Sequence, residues 1–524
     1  MNLKNFFIKN YFSIFLFFFF VIGVYLSLNV SITHDEIYDL YVWNSNKIYV
    51  KDLLTGSLSE QNSLEGMTKF YGIGFHILSS PLEYIFINFL QNDQFNYQTK
   101  IYLSKHVTVF LFFLVSGVFF KKILNIIIKN NFNANLGTVV YLLYPYLLGH
   151  SFFNTKDIPF LSVWIICTYL IIKIVKNLLE KKKFFNRHIY FISILTAYLI
   201  SIRISGILIF IQYLIFILFA CNQLNIKFLT FIKQNVKYLV ISLILISFFI
   251  ILLTPVYWLN PLLFFKGILF MSNHTQTVCT TTLGECMKAQ NLPSTYIPIW
   301  LLFKLPITIL VGFILFPFVE KKLFSNSLNY IILSSLAFTS LIIVIFLILF
   351  NVNLYDEIRH IMFLIPSLFI ISLVIFFNFS KKIYKFLFCL TFIFFIFQNI
   401  KIYPYNYVWL NNFTHLTKVN GVFELDYWGV STRKISNFIN NNINSEHCIV
   451  SNREKTIKSF LNKNHCLLSF KKLHKQNKRP FYVVLLERAL NKGVPNGCDL
   501  IHQEEVKINF SNEKIVLAKI FKCD

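Results

Sequence analysis

Apolar and polar residues fall in long blocks along this chain rather than alternating. Apolar runs lie near residues 11–30, 103–121, 136–152, 158–176, 189–203, 206–222, 238–256, 298–318, 329–350, 360–377 and 384–402. Such lengths match the hydrocarbon core of a bilayer, where a backbone must satisfy its own hydrogen bonds as helix. The pattern predicts about eleven transmembrane helices. The two runs flanking Arg203 are the shortest; without them the count falls by two and the orientation is unchanged. The first run follows Lys4 and Lys9. It is too long for a signal-peptide core and lacks a small-x-small cleavage site, so it reads as an uncleaved helix.

Three polar stretches separate or follow these runs. Residues 31–102 form a long loop with short amphipathic pieces such as Pro81–Leu90, expected to lie in the membrane interface. Residues 257–297 form a second loop. In the tail, Phe481–Leu486 and Lys514–Phe521 read as strands, and Thr432–Asn440 and Glu454–Asn462 as helices. The expected organisation is a polytopic α-helical membrane domain over 1–403 and a small soluble α/β domain over 404–524.

Composition agrees: 56% of residues are hydrophobic, and mean hydropathy is +0.60. The bias toward Phe, Ile, Asn and Lys resembles an AT-rich bacterial genome. Lys+Arg number 49 against 24 Asp+Glu, a net charge of +25. The excess sits in short loops between apolar runs, which argues for membrane topology and against nucleic-acid binding. Lys121, Lys122 and Lys129 follow the second run, and Lys181, Lys182, Lys183 and Arg187 the fourth. Lys227, Lys233 and Lys237 follow the sixth, Lys321 and Lys322 the eighth, and Lys381, Lys382 and Lys385 the tenth. All fall on the side of the N-terminus, which the positive-inside rule makes cytoplasmic. An odd number of spans then places the tail outside, in a bacterial inner membrane. Cys167, Cys221 and Cys389 fall in apolar runs, and six cysteines fall outside them. Cys279 is expected to pair with Cys286; pairing among Cys448, Cys466, Cys498 and Cys523 is open, and free thiols are the alternative.

Three groups of residues carry candidate chemistry. Thr33-His34-Asp35-Glu36 follows the first helix. A carboxylate held there can act as general base toward a hydroxyl or bind a divalent metal; it can also be a solvated helix end. Asn154-Thr155-Lys156-Asp157-Ile158-Pro159-Phe160 forms an external turn. Asp157 there can simply cap the next helix, a reading that leaves Lys156 and Asn154 unexplained. The third group is cationic: Lys69, Arg203, and Arg359 with His360. Each alone can snorkel to headgroups; together they suit an anionic ligand such as a lipid phosphate. No Walker or dinucleotide-binding glycine pattern supports a soluble nucleotide donor.

These motifs resemble a polyprenyl-phosphate-sugar-dependent glycosyltransferase of the GT-C superfamily. The likeness is to the bacterial family 39 group, with its protein O-mannosyltransferase-like and lipid A aminoarabinose transferase-like enzymes. It rests on His34-Asp35-Glu36, Lys69-Phe70-Tyr71-Gly72, Phe153 to Phe160, Arg203-Ile204-Ser205-Gly206, Arg359-His360 and Phe423-Glu424-Leu425-Asp426-Tyr427-Trp428-Gly429. The resemblance implies inverting transfer, outside the cytoplasm, from a polyprenyl-phosphate sugar to a glycan, lipid or protein hydroxyl, without a catalytic metal or other cofactor. It implies Asp35 as general base, Glu36 in support and Asp157 as second acid. Lys69, Arg203 and Arg359 would bind donor phosphate, with His34, Asn154, Lys156 and His360 lining the cavity. A lipid-linked-glycan transporter or flippase is the alternative; it would hold charges at the midplane and often shows repeats, and no repeat is visible. A membrane scaffold for the tail is a third reading.

Overall fold

A computed structural model describes residues 3–58, 63–89, 95–128, 130–180, 187–272, 278–318, 326–378, 382–462, 464–470, 480–486, 488, 490, 497–509 and 513–524, with backbone alone at 3–9 and 382–385. The loop lysines Lys129, Lys181, Lys182, Lys183, Lys321, Lys322 and Lys381 lie outside the described residues.

The chain is mainly helical. The helices are α1 Leu3–Asn29, α2 His34–Thr55, α3 Gly66–Phe70, α4 Gly74–Phe89, α5 Tyr97–Ile127, α6 Asn131–Leu143, α7 Pro145–His150, α8 Asp157–Leu179, α9 Arg187–Ile202 and α10 Ile209–Gln223. They continue with α11 Phe228–Leu253, α12 Leu263–Ser272, α13 Tyr296–Lys304, α14 Ile307–Leu315, α15 Ser327–Leu349, α16 Ile365–Asn378, α17 Lys382–Ile402, α18 Thr432–Asn442 and α19 Glu454–Lys458.

Among the described residues, seven helical stretches are long and apolar enough to cross a membrane: those of α1, α5, α8, α10, α11, α15 and α16. They mark an integral membrane protein. The other four expected spans differ for visible reasons. The run at 136–152 is broken between α6 and α7, where Tyr144 leaves helical geometry ahead of Pro145. The run at 298–318 bends by 118° between α13 and α14, at Leu305-Pro306. α9 and the apolar part of α17 are shorter than the seven.

Burial separates centre from periphery. In the apolar windows of α8 and α16, 83% and 89% of residues are buried, against 11% in α11. α8 packs on α5 and α9, and the 3-10 turn opening α16 packs on α8. These central helices carry the charged residues described below at their ends.

The first polar stretch is largely helical. α2, read as loop from sequence, runs for 22 residues between a Thr33–Glu36 capping box and a left-handed Gly56. α4 covers Pro81–Phe89 of the expected Pro81–Leu90 piece, whose last residue lies outside the described residues, and starts earlier, at Gly74. The second stretch holds α12 and the hairpin β1 Cys279–Thr282 and β2 Glu285–Lys288, closed by the expected Cys279–Cys286 disulfide.

The tail builds one five-stranded mixed sheet from β3 Cys448–Ser451, β4 Cys466–Ser469, β5 Phe481–Leu486, β6 Cys498–Val506 and β7 Ile515–Cys523, in the order β4-β3-β5-β7-β6. Disulfides join Cys448 to Cys466 and Cys498 to Cys523. Ile435 and Ile439 of α18 pack with Ile449, Val484 and Ile520 under the sheet. The segment between α17 and α18 belongs to the larger apolar core: Tyr407, Trp409, Tyr427 and Trp428 are buried with Tyr144, Phe153 and Phe395. Residues on both sides of the expected boundary at 403/404 share that core, which also takes in Val506, Ile515 and Leu517 of β6 and β7.

Candidate functional site

Asn154 fixes the start of α8. Its Oδ1 accepts the backbone N–H groups of Lys156 (3.1 Å) and Asp157 (2.8 Å). Asp157 is thus the first helical residue rather than the cap, and its carboxylate is spared for other partners. The α8 dipole favours an anion at this place. Asp157 is 2% exposed; its Oδ1 pairs with Arg203 Nη1, and its Oδ2 accepts from Asn154 Nδ2 at 3.0 Å. Arg203 reaches it from the junction between α9 and the 3-10 turn Ile204–Leu208.

Arg359 joins the two acid-bearing segments. It opens the 3-10 turn Arg359–Leu364, and its guanidinium lies over the rings of Trp428 (4.9 Å) and Tyr355 (4.8 Å). Nη1 is 3.1 Å from Asp35 Oδ2 and 4.0 Å from Asp157 Oδ2; Nη2 is 3.1 Å from Asp356 Oδ2. Nε is buried without a hydrogen-bond partner among the described residues. Positions 35, 157, 203 and 359 thus form one cluster at the ends of α2, α8, α9 and α16.

The adjacent acids Asp35 and Glu36 part company. Glu36 Oε2 accepts from Thr33 N (2.7 Å) and Thr33 Oγ1 (2.8 Å), and Oε1 meets His106 Nε2 at 2.6 Å. Oε2 therefore caps α2, and Oε1 ties α2 to α5. Asp35 keeps 36% of its side chain exposed.

One helical turn beyond Asp35, on the same face of α2, lies Asp39. It is 1% exposed and accepts from Thr155 Oγ1. Burial raises its pKa, an effect that the Lys156 ammonium and Thr155 partly offset. Lys156 Nζ donates to Gly72 O and sits 3.6 Å from the Tyr71 ring centre. Burial lowers the Lys156 pKa to about 8, against the opposing pull of Asp39.

Asp356 and Glu357 stand behind Arg359. Both have left-handed backbone, with φ of 57° and 64°, a strain of about 1–3 kcal/mol each for non-glycine residues that neighbouring contacts must hold in place. Asp356 pairs with Arg488 from the tail, whose Nε is 2.5 Å from Glu424 Oε1. Burial pushes Glu424 up to about 7, although Arg488 favours its charged form. Glu357 pairs with Lys304 at 2.8 Å, and neither side chain is exposed.

Lys69, His34 and His360 are also expected site residues outside the cluster. Lys69 is half-buried on α3, 6.0 Å from the Phe70 ring, and makes no ion pair among the described residues. The His34 side chain keeps an exposed face, while the protein packed around the rest of the ring, then the charge of Arg453, lowers its pKa. His360 packs edge-on against Tyr355 at 4.7 Å. The sequence reading did not single out Asp39, Asp356, Arg488 or the Lys304–Glu357 pair. Only Asp39 carried a local signal, four residues after Asp35.

No family model matches the chain, and no curated protein matches it.

Proposed function

We propose that the protein is an inverting glycosyltransferase of GT-C type that moves a sugar from a polyprenyl phosphate to a hydroxyl acceptor outside the cytoplasm. In this reading all eleven apolar runs belong to the membrane domain, with α6–α7 and α13–α14 as broken spans and the tail on the outer side. The observation that supports it best is Arg359 held between Asp35 and Asp157, with Arg203 on the far side of Asp157.

The roles follow from exposure. Asp35 is the acid of this cluster that reaches solvent, and its Oδ1 makes no hydrogen bond among the described residues. It takes the acceptor hydroxyl proton as the acceptor oxygen attacks the anomeric carbon. The bond to the phosphate oxygen breaks, and the departing phosphate gains negative charge. Arg359, whose Nε has no partner among the described residues, and Arg203, 23% exposed, stabilise that charge. A phosphate at Arg359 competes with Asp35 for the guanidinium, which releases the base as the donor arrives. Asp157 keeps the two arginines convergent, and Lys156 holds the Gly72 turn against α8. Glu36 is left with a structural role.

Mass spectrometry of surface glycans and glycoproteins, with and without the protein, tests this. A modification that needs the wild-type chain and vanishes with Asp35→Asn is expected. Full modification by Asp35→Asn would overturn the mechanism, and lipid-linked sugar crossing vesicles unconsumed would favour transport.

A further inference from the structure

A groove of about 1350 Å³ opens between α18, α19 and the chain leading into α5. Its lining is mostly polar and cationic, with Phe95, Phe460, Leu461 and Leu467 as the apolar part. Asn96, Asn437 and Asn441 contribute carboxamides, and Lys455, Lys458 and His465 contribute cations or a titratable ring. Glu454 is the single acid among the lining residues. Lys455 and Lys458 lie three apart on α19, both exposed, and neither is ion-paired among the described residues. Asn437 and Asn441 are also exposed.

The groove is fixed in place. Arg433 donates to Leu28 O (2.8 Å) and Val30 O (3.3 Å) at the end of α1. Its guanidinium lies 5.6 Å from the Phe95 ring and 5.2 Å from Phe460. Thr99 Oγ1 donates to Ser459 O at 3.2 Å. α19 packs on α2, whose first turn carries Asp35, and Arg453 and Lys455 act on the charge of His34 next to it. α19, one wall of the groove, therefore packs on the helix that carries the exposed acid.

Carboxamides exchange hydrogen bonds with hydroxyls in both directions, and unpaired lysines attract phosphate or carboxylate. We infer that this groove docks the acceptor, and that the acceptor is a hydroxyl-rich glycan carrying phosphate or carboxylate groups. The inference rests on the proposed transfer for the word acceptor, but binding is measurable without it.

The full chain, in nanodiscs of zwitterionic lipid, is titrated with a galacturonate hexamer and with neutral maltohexaose. The anionic hexamer should bind, more weakly as salt rises, and maltohexaose should not compete. Lys455→Glu with Lys458→Glu should weaken binding roughly tenfold or more. Asn437→Asp with Asn441→Asp, on exposed positions that carry no fold, should weaken it in the same direction. Equal binding of both hexamers, no binding of either, or binding unchanged by the lysine reversals would overturn the inference. So would lysine reversals that abolish only association with phosphatidylglycerol vesicles, which would assign the groove to lipid headgroups. Asp35→Asn should leave hexamer binding intact, so loss of transfer and loss of docking are separable.

Discussion

Two ion-paired regions lie at the same end of the helices and differ in their access to water. Lys304 and Glu357 are sealed: neither side chain is exposed, and Lys304 also donates to Tyr407 O and lies 4.6 Å from the Tyr146 ring. The Asp35–Arg359–Asp157–Arg203 cluster is open at both ends, at Asp35 and Arg203, and closed in the middle. A sealed pair holds backbone in place. An open cluster with an unpartnered arginine N–H can exchange its internal partners for a ligand. The same residue types thus serve structure in one place and, in the proposed transfer, chemistry a few residues away.

The largest effect that sharpens this contrast is at Asp35. Asp35→Asn should lower transfer by about 10²–10⁴-fold, the range for losing a general base, with melting temperature unchanged. Asp157→Asn should lower transfer and also disturb stability, because it leaves Arg203 beside a neutral partner. Next comes the sealed pair. Lys304→Met should destabilise the protein by about 3–5 kcal/mol, by leaving Glu357 buried and unpaired, and Lys304→Met with Glu357→Leu should regain most of that. Denaturation in detergent reads both. Equal losses in the single and double variants would break the contrast.

A smaller effect is the pH response of Lys156. Its pKa is lowered to about 8, below the ordinary lysine value, so the folded chain holds fewer protons than the unfolded one between the two. Stability should therefore rise with pH from about 8 toward the ordinary lysine value. Lys156→Met should flatten that slope in melts taken across the window. The smallest effect is the cap of α2: Thr33→Val should cost about 1 kcal/mol and leave chemistry nearly untouched.

The long apolar helices were legible because continuous hydrophobic runs have one solution in a bilayer. Breaks at Pro145 and Pro306 were visible as prolines, but whether each would bend or end its span depends on packing. α2 was missed because His34–Thr55 mixes charged, Asn and aromatic residues without a clean stripe. Its ends were nevertheless written in the sequence, as Thr33-x-x-Glu36 and Gly56. That capping box also decides the fate of Glu36, read from sequence as a partner of Asp35 and committed in the fold to α2 and His106. Asp35, Asp157, Arg203 and Arg359 were legible as charges beside apolar runs. Their pairing was not, because 35 meets 359 and 157 meets 203 only through helix packing. Lys69 illustrates the converse: a cation on the same stretch of chain that packing leaves aside.

The most direct test is the fate of the donor. Lipid extracts of membranes overproducing wild-type protein or Asp35→Asn are compared for polyprenyl-phosphate sugars by mass spectrometry. General-base transfer at Asp35 predicts depletion of one such sugar, with release of polyprenyl phosphate, in the wild type and its accumulation in Asp35→Asn. Equal depletion in both would contradict the assignment of Asp35.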